Sequence, residues 1–147
     1  MHVRGAFLLL ACLIPLANGS SLASHSLDEA MEQARAEGKY LYIAFLGEGW
    51  SMSSKRFKDS VLETDAFKSF ADHALVYFPV EARRKPPLSK DEREALHAWV
   101  IQFDIMAYPT FILIAPDGQE LLRHGYREME SEAYVELLRS VLPARAG

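Results

Sequence analysis

The sequence of 147 residues contains one cysteine, Cys12. A single cysteine excludes a framework of intramolecular disulfides and any zinc site built from cysteine ligands. The histidines show no spacing typical of metal ligands, so we expect neither a metal nor another cofactor. The sequence also lacks a basic excess, with 16 Lys and Arg against 20 Asp and Glu. Nucleic-acid-binding proteins usually have such an excess, so we expect no nucleic acid among the partners.

The apolar run near the N-terminus is short. It covers residues 6–17, whereas a transmembrane helix needs about 20 residues. A weakly basic start precedes the run and small residues follow it, which is the order typical of a secretory signal peptide. We therefore predict a signal peptide at residues 1–23, cleaved after Gly19 or Ala23, and a single domain at residues 24–147.

Export determines what becomes of the cysteine. Cys12 lies inside the apolar run, so the processed protein would contain no cysteine. The C-terminus carries no ER-retention tetrapeptide, and we expect a periplasmic or secreted protein. An alternative is lipidation at Cys12, because residues 9–12 loosely resemble a bacterial lipoprotein cleavage box. Only in that case would we expect attachment to a membrane.

Helical and strand patterns alternate along the rest of the sequence. Capping boxes at Ser26 and Ser89 each predict the start of a helix, and residues 51–61 and the C-terminal residues have helical periodicity. Strands are predicted at 40–46, 75–80, 110–115 and 120–126. Strands joined through a helix are expected to pair in parallel, and the turn at 116–118 is expected to give an antiparallel hairpin. The fold class is α/β, a three-layer α/β/α sandwich around a mixed four-stranded sheet.

Two short motifs suggest a family. The first follows the buried strand 40–46: Gly-x-Gly-Trp, a four-residue box and Lys55, at the start of a helix. This motif resembles the active-site turn of thioredoxin-fold proteins, which carry Trp-Cys-x-x-Cys-Lys. The second motif, Ala107 to Thr110, resembles the cis-proline loop of the same family. The resemblance covers residues 26–142 and implies a thioredoxin fold.

The sequence departs from that family where the family has its chemistry. Ser51 and Ser54 occupy the positions of the two cysteines. A helix N-terminus lowers the pKa of a thiol enough to give a nucleophile near neutral pH, but a serine hydroxyl is far too weak an acid to benefit. Phe45 stands where thioredoxins keep a buried acid. We therefore predict a redox-inactive protein that is not an enzyme and has no catalytic residues.

A surface for binding polypeptide remains. In the family, the cis-proline loop faces the active-site turn, and the residue before the proline pairs its backbone with extended peptides. This implies a shallow groove lined by five residues: Trp50, Ser51, Met52, Tyr108 and Pro109. Pairing of this kind needs no thiol. We expect an exported polypeptide as the partner, in a holdase, adaptor or assembly role. The alternative for Trp50 and Tyr108 is that their side chains simply pack around the turn.

Two other functions stay open. Gly49 to Ser53 approaches the nucleophile elbow of serine hydrolases, with Ser51 as the nucleophile, although the second glycine of that motif is missing. Alternatively, a thiol–disulfide function is retained with cysteines supplied by a partner. A further feature is the basic run Arg83-Arg84-Lys85, which is either a solvated loop or a binding patch.

Overall fold

The computed structural model describes residues 26–143. The predicted signal peptide, its cleavage sites and Cys12 lie outside these residues. The elements are α1 (Leu27–Glu37), β1 (Tyr40–Leu46), α2 (Met52–Phe57), a π-helical turn (Lys58–Leu62), α3 (Asp65–Ala74), β2 (Leu75–Glu81), α4 (Lys90–Gln102), β3 (Thr110–Ile114), β4 (Glu120–His124) and α5 (Ser131–Val141). In this part of the chain, none of the helices combines the length and the hydropathy that a membrane span requires.

The four strands form one mixed sheet in the order β2-β1-β3-β4. The central strand β1 pairs in parallel with β2 and antiparallel with β3, and β4 completes the predicted antiparallel hairpin. All residues of β1 after Tyr40 are buried, as expected of a strand covered on both faces. The structure therefore confirms the predicted α/β fold with a mixed four-stranded sheet.

The prediction that strands joined through a helix pair in parallel is correct for β1 and β2 but wrong for β3. Glu81 at the end of β2 lies opposite Leu46, and Thr110 at the start of β3 lies opposite Phe45. The segment 82–109 therefore leaves the sheet and returns to it at the same end of strand β1. A parallel connection has to return to the opposite end of the strands, so β3 runs antiparallel to β1.

Two apolar clusters cover the two faces of the sheet and make the predicted three layers. One cluster lies among α2, α3 and α5 and is built around Tyr42, Phe67 and Tyr134. The other lies against α1 and α4 and contains Ile43 and Phe45. Because neighbouring residues of a strand point to opposite faces, β1 contributes to both clusters.

The helix after the turn is less regular than the sequence predicted. The periodicity indicated one helix over 51–61, whereas α2 ends at Phe57 and Lys58–Leu62 form a π-helical turn. The wider turn brings both Val61 and Leu62 into the core. Ser54 and Phe57 are also buried, so one face of α2 is directed into the core.

Candidate functional site

The turn between β1 and α2 is held by backbone and hydroxyl hydrogen bonds. The N–H of Ser51 donates to the carbonyl of Gly47 at 2.9 Å, and the N–H of Gly47 donates to Ser54 Oγ at 3.0 Å. A Cβ atom at position 47 would lie 2.7 Å from Ser51 Cβ and 2.8 Å from the Trp50 ring. Only glycine allows this close approach, so the sequence Gly47 to Trp50 fixes the path of the turn.

The two serines have different environments. Ser51 is half-buried and caps α2, its Oγ accepting the N–H of Ser54 at 3.2 Å. Ser54 is only 3% exposed, and its Oγ accepts the hydrogen bond from the N–H of Gly47. A thiolate at position 51 would receive the same N–H and the positive end of the helix dipole. The hydroxyl in its place has no comparable acidity.

Strand β1, which leads into the turn, contains no acidic residue. Phe45 is fully buried and packs against Phe103, with ring centroids 5.9 Å apart. The position that holds an acid in the family pattern is thus part of an apolar cluster, and cannot exchange a proton with the turn.

The proline loop lies beside the turn. The Tyr108–Pro109 peptide bond is cis, and the ring of Tyr108 meets the ring of Trp50 edge to face at 5.6 Å. Tyr108 is half-buried, and this burial raises the pKa of its phenol. Pro109 is buried. Within residues 26–143, neither the backbone N–H nor the backbone C=O of Tyr108 forms a hydrogen bond.

Four of the five predicted groove residues thus lie together, because Trp50, next to Ser51, contacts Tyr108, next to Pro109. Trp50 keeps 39% of its surface exposed. The fifth, Met52, is 65% exposed at the first turn of α2 and borders a surface depression shared with Ser51 and Lys55. The aromatic contact means that part of each ring is used in packing, while the exposed edges remain available to a ligand.

Sequence reasoning missed one element of this site. The loop after β2 contacts Trp50: the indole N–H donates to the carbonyl of Ala82, and the guanidinium of Arg84 lies 4.4 Å from the ring centroid. The run of basic residues was visible in the sequence. Its position was not, because residues 82–89 have no periodicity that would place them against the turn.

Neither a base for Ser51 nor a group of metal ligands is found among the described residues. Among the described residues, no histidine is hydrogen-bonded to Ser51; His73 contacts the carbonyl of Ser69, and His124 contacts Gly125 and Tyr134. A nucleophilic serine needs a base within hydrogen-bond reach. In the same residues, no three side chains of His, Asp or Glu are grouped as metal ligands.

A buried hydrogen-bond network lies under α2. Tyr134 Oη is 2.8 Å from both Tyr42 Oη and His124 Nε2. Burial lowers the pKa of His124 and raises the pKa of both phenols. The ring of His124 packs 6.1 Å from Phe57 of α2, so this network supports the helix that carries the serines.

The comparisons with known proteins agree with this geometry. The chain is 27% identical over 126 residues to the disulfide bond reductase DsbH of Chlamydia pneumoniae, a match that covers 86% of this chain and 76% of the relative. A solved structure titled "DsbH Oxidoreductase" superposes with a TM-score of 0.75 and 26% identity, covering 82% of this chain and 84% of that one.

More distant structures share the fold alone. The thioredoxin of Thermus thermophilus has a TM-score of 0.59 at 20% identity, with 80% of this chain and 84% of that one covered. The reduced C-terminal domain of Neisseria meningitidis DsbD has a TM-score of 0.60 at 15% identity, covering 79% and 94%. The family model for the thioredoxin-like domain matches residues 27–141. The chain therefore belongs to the thioredoxin-like domain family.

Proposed function

We propose that this protein is a redox-inactive, exported thioredoxin-like protein that binds an extended polypeptide. The binding surface is formed by Trp50, Ser51, Met52, Tyr108 and Pro109, and is termed the cis-proline surface below. A role as holdase, adaptor or assembly factor follows from binding without chemistry.

One observation carries the proposal: the turn is built as in a redox protein, but with hydroxyls. Ser51 caps the helix and Ser54 is buried beneath it, at the two positions where the family pattern has cysteines. Oxygen cannot form a disulfide, and the sequence has no cysteine after residue 12. The protein alone therefore has no thiol with which to start an exchange.

The backbone at the proline loop supports peptide binding. Tyr108 has an unpaired N–H and C=O within the described residues, and the next strand begins two residues later, where Thr110 pairs with Phe45. An extended peptide that paired with Tyr108 would satisfy both groups in the manner of strand addition. The exposed parts of the Trp50 and Met52 side chains would contact the side chains of the peptide.

Export of the protein is part of the proposal. The N-terminal residues have the order of a signal peptide. The relative named as a disulfide bond reductase acts on disulfides, which persist in oxidising compartments. The bound polypeptide would then be another exported protein.

A peptide-selection experiment tests the binding. Protein expressed from the full-length coding sequence is screened against a random peptide library, and selected peptides are measured by fluorescence anisotropy. We expect binding that is lost in the Trp50→Ala/Tyr108→Ala variant. It should be kept in Ile101→Ala, which removes a 66% exposed apolar side chain on α4. Failure to select any peptide, or equal binding by the first variant, contradicts the proposal.

A second candidate is thiol–disulfide exchange with cysteines supplied by a partner. The similarity to a disulfide bond reductase favours it. The partner would have to provide every reacting sulfur, since Ser51 and Ser54 provide none. An insulin-reduction assay on the isolated protein separates this candidate from residual activity: we expect no turnover, and turnover would contradict the main proposal.

A further inference from the structure

The basic loop after β2 contacts Trp50, but its positive charge is not used in the proposed function. Arg83, Arg84 and Lys85 are three successive cations in a protein with a formal net charge of −4. A run of this kind on an acidic protein creates a local positive potential. Its consequence depends on whether neighbouring acids neutralise it.

Only the first of the three cations is paired within the described residues. Arg83 donates to both carboxylate oxygens of Glu92, at 2.9 and 3.0 Å. Arg84 and Lys85 have no carboxylate within 4 Å in this part of the chain, although Glu81 is close in sequence. Both side chains are exposed.

Two other cations near the turn are paired with acids. Lys58 lies 3.2 Å from Glu48, and Lys55 is bonded to Asp59. Arg56 of α2 is exposed and also forms no ion pair within the described residues, but Arg84 differs from it by its contact with Trp50.

One of the two unpaired cations, Arg84, lies directly against the cis-proline surface, and Lys85 follows it in the loop. The guanidinium of Arg84 is 4.4 Å from the centroid of the Trp50 ring, and the Trp50 indole N–H is bonded to the carbonyl of Ala82. These contacts anchor the loop to the residue that touches Tyr108. A ligand on Trp50 and Tyr108 would have Arg84 as its neighbour.

Two exposed methionines flank the two motifs. Met52 is 65% exposed, and Met106, two residues before Tyr108, is 86% exposed. Methionine side chains adjust to ligands of different shape. The surface thus offers apolar contacts on both motifs and positive charge on one side.

We infer that the cis-proline surface selects extended polypeptide segments in which an acidic side chain lies close to an apolar one. The apolar side chain contacts Trp50 and the methionines, and the carboxylate pairs with Arg84 and Lys85. This inference rests on the proposed function, since it names the class of polypeptide that the same surface binds.

Matched peptides test the selection by charge. A peptide taken from the selection is made in three forms, with Glu, Gln or Lys at one position beside its apolar residue. Each surface ion pair is worth up to about fivefold in affinity. We therefore expect the Glu form to bind about fivefold more tightly than the Gln form and the Lys form to bind most weakly. High salt should reduce the differences.

Two charge variants locate the effect. Arg84→Gln/Lys85→Gln should bind all three forms alike. Lys68→Gln/Lys90→Gln makes the same change in net charge at exposed positions on α3 and α4, and should keep the preference. If the wild type binds all three forms equally, the inference is overturned while peptide binding stands. If no form binds, the proposed function fails together with it.

Discussion

Ser51 Oγ accepts a hydrogen bond from the backbone N–H of Ser54 at 3.2 Å, so the first serine of the turn caps the helix that buries the second. In a redox-active turn, this same N–H would stabilise a thiolate. The turn therefore presents the N–H donor and the helix N-terminus that would stabilise a thiolate, although it has neither sulfur atom.

Cysteines at both positions test whether the turn stabilises a thiolate. The Ser51→Cys/Ser54→Cys variant should reduce insulin in the presence of a thiol reductant, and the pKa of Cys at position 51 should fall below its usual value of about 8.5. The ultraviolet absorbance of the thiolate, followed against pH, measures that pKa. Ser51→Cys alone should form mixed disulfides without turnover, because no resolving thiol is present. A folded double variant with an unshifted pKa and no turnover would contradict the stabilisation of a thiolate by the turn.

The buried serine should contribute to stability even without chemistry. Ser54→Ala leaves the N–H of Gly47 without its partner, which should lower the free energy of unfolding by about 1–3 kcal/mol. Ser51→Ala removes a helix cap and should cost about 1 kcal/mol. Urea denaturation measures both values. Ser53→Ala is the control, because the Ser53 hydroxyl forms no hydrogen bond within the described residues and its loss should cost less than about 0.5 kcal/mol.

Gly47 should be intolerant of any side chain. A Cβ atom there would lie 2.7 Å from Ser51 Cβ and 2.8 Å from the Trp50 ring, so Gly47→Ala has to displace the indole. We expect a loss of about 1–3 kcal/mol, by analogy with overpacked sites, and weaker peptide binding. Denaturation and the fluorescence of Trp50 in a Trp99→Phe background measure the two effects.

Gly125→Ala provides the comparison for that prediction. Its Cβ would lie 3.6 Å from the carbonyl oxygen of Pro109, an ordinary contact on the other side of the proline loop. This variant should leave both stability and Trp50 fluorescence close to the wild type. Equal losses in the two variants would mean that the approach of Trp50 to Gly47 is not what demands glycine.

The sequence predicted most of the fold because its signals are local. The capping boxes at Ser26 and Ser89 and the apolar run of β1 each determine one element, and all three are found where expected. The antiparallel pairing of β3 was missed, since it depends on where residues 82–109 return to the sheet. The contact between Arg84 and Trp50 was missed for a similar reason: 34 positions separate the two residues, and no pattern records their proximity.

The buried network of Tyr42, Tyr134 and His124 should make stability depend on pH. Burial lowers the pKa of His124 below its usual value of 6.5, so the folded state disfavours the proton that the unfolded state accepts. Stability is then fully present above pH 6.5 and is lost as the pH falls from there through the folded-state pKa. Urea denaturation of wild type and His124→Gln across this range isolates the effect, because the other groups titrate alike in both proteins. The wild type should lose more free energy of unfolding on acidification than the variant does.

His97→Gln, which removes an exposed histidine on α4, should behave like the wild type. Parallel pH profiles for wild type and His124→Gln would show that the folded protein accommodates a charged His124 beside Tyr134.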